Sequence, residues 1–238
     1  MPPRIPKEAD FANSPPLTLN FPDPPESTTA ILILLHGLGD SEIPFAGFAR
    51  AMALPGVLAI SVRGVSPLPS ALMLSDTDGA HFHWGDDLTF DSRTGDVDAD
   101  PGFQQARHVI VDHLIRGVLV QKCGWDLDDV LLFGFGQGGS LALGLASQLR
   151  EAGCETLKGV VSIGGPLPIS MVPTTSSRAK SDTKVLLCQL GEDAVDAVET
   201  EFSHVKVVRW RRRDVAMPRD RDEMLPIMKF LADRLKTM

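Results

Sequence analysis

A turn between a predicted strand and a predicted helix has the spacing of a catalytic turn but lacks the residue that would react. Glycines occupy positions 134, 136, 138 and 139, after the apolar run Val130–Phe133 and before the helix-like run Ser140–Ala146. A strand, a tight glycine turn and a helix together form the setting in which a nucleophilic serine is exposed for acyl transfer. The central position is Gly136. Because it has no side-chain oxygen, no covalent acyl intermediate can form there.

The composition is that of one domain with a full core. The chain has 238 residues, of which 43% are hydrophobic, and its formal net charge is −8. This charge argues against a general nucleic-acid binder, so we expect no nucleic-acid partner. The scattered cysteines Cys123, Cys154 and Cys188 predict buried thiols in a reducing compartment. Without an apolar leader or a run long enough for a transmembrane segment, we expect a cytoplasmic location, with the nucleus as an alternative, and no cofactor or metal.

Strand and helix patterns alternate along most of the chain. Residues 1–16 are rich in proline and predict a mobile tail, and residues 17–238 predict a single domain. Continuous apolar runs alternating with helical patterns predict an α/β fold, a doubly wound and mostly parallel sheet with helices on both faces. The predicted strands are Leu17–Phe21 at an edge, Ile31–Leu35, Val57–Val62, Val130–Phe133, Val160–Ile163, Val185–Leu190 and Val205–Trp210.

Local signals predict where two helices begin. Asp100 and Pro101 have the types preferred at a helix cap and at the first helical position, and Gly124 is expected to end that helix. In the closing helix, predicted over Arg221–Lys236, Pro226 indicates that the regular part starts near Leu225. The buried face of the first helix is predicted from the spacing of Phe103, Ala106, Ile110, Leu114 and Val118.

Two long irregular stretches, Arg63–Asp100 and Gly164–Thr183, each follow a predicted strand. Long loops in a domain of this kind are often functional. Ligands bind at the carboxyl ends of the strands in open α/β sheets, so we expect both stretches to border the ligand crevice.

Two motifs, taken in order, resemble the acyl-protein thioesterase and carboxylesterase family of α/β-hydrolases. His36-Gly37-Leu38-Gly39-Asp40 matches the family pattern H-G-L-G-D, and residues 134–139 match G-F-S-Q-G-G except at Gly136. The resemblance covers roughly Ala30 to the C-terminus and implies the α/β-hydrolase fold. It also implies an oxyanion hole formed by the backbone amides of Leu38 and Gln137. The pocket residues that it implies are His36, Gly37, Trp84, Gly138, Pro166 and Leu167.

The resemblance also implies that a second catalytic residue is missing. Matching the closing helix to that of the family places Met217 where the catalytic histidine belongs. The family's acid is best matched by Asp193, although the spacing is about one residue short, and Asp196 is the alternative. Either carboxylate could instead be a solvated residue at a helix start. Because glycine tolerates strained backbone, Gly136 predicts a stable fold rather than a damaged one.

The joint loss at Gly136 and Met217 predicts a catalytically inactive pseudoenzyme that binds a small apolar or acyl-bearing ligand or a protein partner. One alternative is an enzyme that uses the oxyanion hole without the usual serine, for hydrolysis or for lyase, isomerase or cyclase chemistry. Another is a surface scaffold or regulator. We interpret Ser140, Ser162 and Cys188 as structural residues rather than as a relocated nucleophile.

Two further clusters of side chains have competing interpretations. The segment His81-Phe82-His83-Trp84 is interpreted as a pocket wall or an anchor for its loop, with metal binding as the weaker alternative. The cluster Arg209-Trp210-Arg211-Arg212-Arg213 is interpreted as a strand end whose arginines pair with acidic residues. Its alternatives are contact with a phosphate, RNA or an acidic partner, or a nuclear-import signal.

Overall fold

A mostly parallel sheet runs through the part of the chain that the computed structural model describes, namely residues 3–69, 81–88, 97–149, 156–174 and 179–236. In chain order the strands are β1 (Leu17–Asn20), β2 (Ala30–Leu35), β3 (Val57–Val62), β4 (Ser66–Pro67), β5 (Phe82–His83), β6 (Val130–Phe135), β7 (Gly159–Ile163), β8 (Ser181–Cys188) and β9 (Phe202–Val208). Seven of them form one sheet in the order β1-β3-β2-β6-β7-β8-β9, while β4 and β5 pair separately. Only β1 is antiparallel to its neighbour in the main sheet, as expected for a doubly wound fold.

The central strands are apolar on both faces because both faces are covered. In β2, Ile31 and Ile33 belong to one buried cluster, while Leu32 and Leu34 belong to a second cluster on the opposite face. Successive side chains of a strand point to opposite faces, so a strand buried on both sides has no polar alternation. This is the physical reason why continuous apolar runs in the sequence predicted these strands correctly.

Helices cover the two faces. The helices are α1 (Glu42–Met52), α2 (Gln104–Arg107, continuing as the π-helical segment His108–Lys122), α3 (Gln137–Leu149), α4 (Glu192–Glu201) and α5 (Arg221–Leu235). Apolar residues of α1 and α5 join one buried cluster, while those of α3, α4 and the π-helical segment join the other. The predicted arrangement of helices on both faces is confirmed.

The helix that was predicted to begin at Asp100 begins instead at Gln104. Its first amides, those of Gln104 and Gln105, donate to the carboxylate of Asp86 at 2.8 and 2.9 Å. The cap therefore comes from a residue distant in sequence, and Asp100 has a different partner, described below. The predicted apolar face from Phe103 to Val118 is buried. The helix ends at Lys122, just before Gly124, which has a φ of +76°.

The prediction that α5 becomes regular only near Leu225 is wrong. The helix begins at Arg221 because the side chain of Asp220 accepts a hydrogen bond from the Glu223 amide at 2.9 Å. Pro226 lies inside the helix, where it removes a backbone donor without ending the helix. A side-chain cap thus outweighs the proline as the signal for the helix start.

The first residues of the described chain pack against the end of the π-helical segment. The Arg4 amide donates to the Cys123 carbonyl at 2.8 Å, and the Trp125 indole donates to the Arg4 carbonyl at 2.8 Å. Arg4 and Asp10 form an ion pair at 2.7 Å, and Phe11 is buried. Mobility of residues 1–16 stays a prediction, but these contacts were not anticipated from the proline content.

The two cysteines within the described residues, Cys123 and Cys188, are buried and unpaired, as predicted; Cys154 lies outside those residues. No helix among the described residues is both long enough and apolar enough to cross a bilayer.

Candidate functional site

The glycine turn lies where β6 meets α3, at the carboxyl edge of the sheet. Gly136 has a left-handed backbone, with a φ of +51°. Its carbonyl accepts the amides of Gly139 at 2.9 Å and of Ser140 at 3.0 Å, and its own amide donates to the Ile163 carbonyl at 2.9 Å. The turn is therefore fixed by hydrogen bonds to α3 and to the end of β7.

The neighbouring glycines are required by close packing, whereas Gly136 is not. A Cβ atom at Gly134 would overlap the Gly138 carbonyl, and one at Gly138 would overlap the carbonyls of Leu35 and His36. At Gly136 the nearest atom to such a Cβ, apart from its chain neighbours and the helix backbone, is the Gly37 Cα at 4.0 Å. The site thus has room for a side chain at position 136.

A buried histidine and a buried tryptophan connect the loops on one side of the turn. The Trp84 indole donates to the His36 carbonyl at 2.8 Å, and the two rings lie 5.1 Å apart. The His36 Nε2 accepts the Gly64 amide at 2.8 Å, so the ring proton must be on Nδ1, 2.7 Å from the Gly37 carbonyl. Burial lowers the pKa of His36, which keeps the ring neutral. His36 is therefore a structural connector in this site.

Stability is expected to fall as the pH drops below about 6.5, the ordinary pKa of a histidine. In the unfolded chain His36 takes up a proton there, whereas the buried ring in the folded chain stays neutral to lower pH. The unfolded state then binds more protons, so the free energy of unfolding falls by up to about 1.4 kcal/mol per pH unit. Urea unfolding between about pH 6.5 and pH 5.5 measures this slope.

The test compares His36→Gln with His108→Gln. His108 is the control because its side chain is 75% exposed. We expect the first to reduce the slope and the second to leave it unchanged. An unchanged slope in His36→Gln would contradict the role given to burial. His83 is also buried, and burial lowers its pKa as well, so part of the slope should persist in His36→Gln.

Trp84 also contacts the turn itself. Its amide donates to the side-chain oxygen of Gln137 at 2.7 Å. The same loop pairs with the loop after β2, since the Gly39 amide donates to the Phe82 carbonyl and the Phe82 amide donates to the Asp40 carbonyl. The structure thus brings together His36, Gly37, Trp84, Gly136, Gln137 and Gly138. Among the described residues, neither the Leu38 amide nor the Gln137 amide donates a hydrogen bond to a protein acceptor.

The loop after β7 forms the second side of the site. Gly165 packs so closely on the turn that a Cβ atom there would overlap the Gly136 carbonyl. Pro166 is half-buried, and Leu167 is buried against the core. The Asp100 carboxylate accepts the amide of Ser170 at 2.8 Å and also its hydroxyl. Asp100 therefore ties the two predicted loop stretches together instead of capping a helix.

The proposed positions of the base and the acid lie in different surroundings. Met217 is half-buried and packs against the core cluster that α1 and α5 share. Two residues earlier, Val215 packs over Gly164, where a Cβ atom would overlap its side chain. Asp193 and Asp196 are exposed on α4. Among the described residues, no contact within 4 Å joins a Cβ atom at Gly136 to Met217, Asp193 or Asp196.

The residues considered as a relocated nucleophile have structural surroundings. The Ser162 hydroxyl donates to the Gly165 carbonyl at 2.9 Å, and Ser140 is buried in the first turns of α3. Burial raises the pKa of Cys188 to about 12, so its thiol is protonated near neutral pH and a poor nucleophile. These surroundings agree with the structural interpretation of all three.

The basic cluster at the end of β9 is partly neutralised. Arg209 lies 3.1 Å from Glu192, and Arg212 lies 2.7 Å from Glu223 and 2.9 Å from Asp214. For these two arginines the predicted pairing with acidic residues is confirmed. The signal that sequence reasoning missed is Glu223, because it lies eleven residues further along the chain.

Comparisons with known proteins agree with the observed fold. The sequence model of the phospholipase/carboxylesterase family matches residues 22–209. A Schizosaccharomyces pombe protein described as an uncharacterized hydrolase is 34% identical over 141 residues, which cover 59% of this chain and 55% of that protein. A second uncharacterized hydrolase, from Mycosarcoma maydis, is 33% identical over 160 residues, covering 66% and 54%. The chain thus spans about half the length of the curated relatives it matches.

Solved structures share the fold at low sequence identity. Acyl-protein thioesterase 2 of Zea mays has a TM-score of 0.67 and 19% identity, with 93% of this chain and 100% of that chain covered. Esterase PE8 has a TM-score of 0.63 and 18% identity, covering 93% and 99%. A Bacillus cereus carboxylesterase has a TM-score of 0.61 and 14% identity, covering 92% and 94%. At such identities the likeness speaks for the fold alone.

Proposed function

The chain belongs to the phospholipase/carboxylesterase family and has the α/β-hydrolase fold, and from this premise we propose that it acts as a ligand-binding pseudoenzyme. In this proposal the frame of a serine hydrolase holds a small apolar or acyl-bearing ligand over Gly136 without attacking it. Binding to a protein partner would use the same surface.

The observation that carries the proposal is the contrast among the glycines of the turn. Those at 134 and 138 have no space for a side chain, while Gly136 has both the left-handed backbone and the room. The close approaches of β6, α3 and the loop after β2 are required by the fold, whereas position 136 has room for a side chain and is under no such steric requirement. Retention of this backbone without the serine supports a role that needs the shape of the site and not the covalent step.

The surroundings of Gly136 suit an apolar ligand. Leu38 and Val215 expose 38% and 47% of their surface, although both are apolar and both lie in loops that border the turn. Trp84 and Leu167 are buried behind these loops. Apolar side chains that border a crevice gain free energy when an acyl chain covers them, at roughly 25 cal/mol per Å².

Three measurements on the native chain test this proposal. An activated fluorophosphonate should label no serine, and a panel of p-nitrophenyl esters and acyl thioesters should turn over at the buffer rate. Palmitate, added as the free fatty acid, should raise the melting temperature of the protein. A labelled serine, or turnover of any panel substrate above the buffer rate, would rule out the pseudoenzyme.

A second candidate is an enzyme that polarises a carbonyl without a serine nucleophile. It is favoured by the two amides, of Leu38 and Gln137, that have no protein acceptor among the described residues. Such donors stabilise a developing oxyanion through backbone geometry alone. The reaction would then be a lyase, isomerase or cyclase step, or hydrolysis by a water molecule.

Gln137→Pro and Gln137→Ala distinguish this candidate. Both remove the side chain, but only proline removes the amide hydrogen, and proline is tolerated at the first position of a helix. Turnover of any panel substrate that survives in Gln137→Ala and is lost in Gln137→Pro would favour the enzyme. Equal behaviour of the two variants would argue against it.

A further inference from the structure

The loop between β9 and α5, residues 209–220, carries Met217 and is held from within by one arginine. We infer that Arg212 is a positioning residue that fixes this loop against the site, whichever residue stands at position 217; the inference rests on the proposed function. The contacts that support it come from the loop, from α5, from β8 and from the site.

The Arg212 guanidinium binds the loop at several points. It donates to the carbonyls of Met217 at 2.9 Å and Ala216 at 3.2 Å, and to the Asp214 carboxylate at 2.9 Å. An arginine presents its donors in a rigid planar fork, so it can bind carbonyls and carboxylates on different sides at once. The backbone position of Met217 is therefore set by a side chain outside the glycine turn.

The same guanidinium is anchored to the first turn of α5. Its Nε donates to Glu223 at 2.7 Å, and a terminal nitrogen lies 3.2 Å from the other carboxylate oxygen. This pairing holds the pKa of Glu223 below its ordinary value. Glu223 also accepts the Arg219 amide at 2.8 Å, and the guanidinium lies 4.7 Å from the Trp210 ring centre. The loop is thus connected to a helix that belongs to the core.

A second anchor comes from the end of β8. Gln189 has a left-handed backbone, with a φ of +56°, which glutamine rarely adopts. Its side chain accepts the Trp210 amide at 2.5 Å and donates to the Arg212 carbonyl at 2.7 Å. Such a conformation persists where the surrounding contacts determine it. The Gln189 side chain therefore holds the backbone of the loop at Trp210 and Arg212, and the Arg212 side chain holds the residues that follow.

The held loop reaches the site through Val215. This side chain packs over Gly164, and the next residue, Gly165, packs against the Gly136 carbonyl. A displacement of the loop would therefore move a wall of the site. The adjacent Arg213 is exposed and makes no ion pair among the described residues, so it provides a matched control.

Hydrogen exchange of the Trp210 and Arg219 amides, which donate to the side chains of Gln189 and Glu223, tests the inference on the full chain. Arg212→Met should speed their exchange by about tenfold or more, while Arg212→Lys should have a smaller effect and Arg213→Met none. Amides of β2 and β6 serve as an internal reference for a protein that remains folded. Unchanged exchange of the Trp210 and Arg219 amides in folded Arg212→Met would overturn the inference.

A kinetic arm distinguishes positioning from a general loss of structure. In a background of Gly136→Ser with Met217→His, adding Arg212→Met should lower kcat by about 10²-fold and leave KM within a few-fold. Arg212→Lys should restore part of the rate, and Arg213→Met should leave it unchanged. If the double variant is active and its kcat does not change when Arg212→Met is added, the inference is also overturned. If the double variant has no activity, that result counts against the intact hydrolase site assumed in the proposed function. The exchange experiment would still decide the role of Arg212.

Discussion

Gly136→Ser and Met217→His, introduced together, are expected to raise the hydrolysis of short-chain p-nitrophenyl esters at least ~10²-fold over the native chain. The physical reason is that position 136 has the backbone conformation and the space for a serine, and that the Leu38 and Gln137 amides donate to no protein acceptor among the described residues. Initial rates on purified protein, together with fluorophosphonate labelling of the new serine, measure the effect.

The single substitutions are the controls for this result. Catalytic residues that act as a unit are strongly non-additive, so Gly136→Ser or Met217→His alone should stay near the native rate. In the double variant, Asp193→Asn and Asp196→Asn should differ, and the one that returns the rate to the native level identifies the acid. A folded double variant with no gain in rate would show that the backbone of this site cannot support ester hydrolysis.

Gly138→Ala is expected to destabilise the fold by about 3 kcal/mol or more, whereas Gly136→Ala should cost only about 1 to 2 kcal/mol. At Gly138 the new methyl group would overlap the carbonyls of Leu35 and His36, which cannot move without disturbing β2. At Gly136 the only penalty is the left-handed backbone.

Urea unfolding of the two alanine variants measures this difference directly. Both variants add the same group within the same turn, so each is the control for the other. Equal losses of stability would contradict the claim that position 136 has room for a side chain and that position 138 has none.

The strands could be predicted from the sequence because their burial is visible in it. The run Val57–Val62 was predicted with the bounds that β3 has, since a strand covered on both faces must be continuously apolar. Strand ends were less accurate. The predicted strand Val185–Leu190 stops at Cys188, because Gln189 takes a left-handed conformation that no local pattern indicates.

Contacts between distant residues account for what the sequence did not reveal. Asp86 caps a helix that starts eighteen residues later, and this freed Asp100 to bind Ser170 on another loop. Likewise, the role of Arg212 depends on Glu223 in the next helix. Glycine spacing was enough to predict the turn, but which glycines are sterically required depends on backbone from β2 and α3.

The room above Gly136 means that a serine there would disturb the fold little, and the genetic code makes that change easy. A glycine codon can become a serine codon by a single base substitution, whereas the methionine codon shares no base with a histidine codon at any position. A serine acts only together with an imidazole, so under the proposed function the serine alone would not restore hydrolysis. In that proposal, position 217 is the larger genetic distance between this chain and a serine hydrolase.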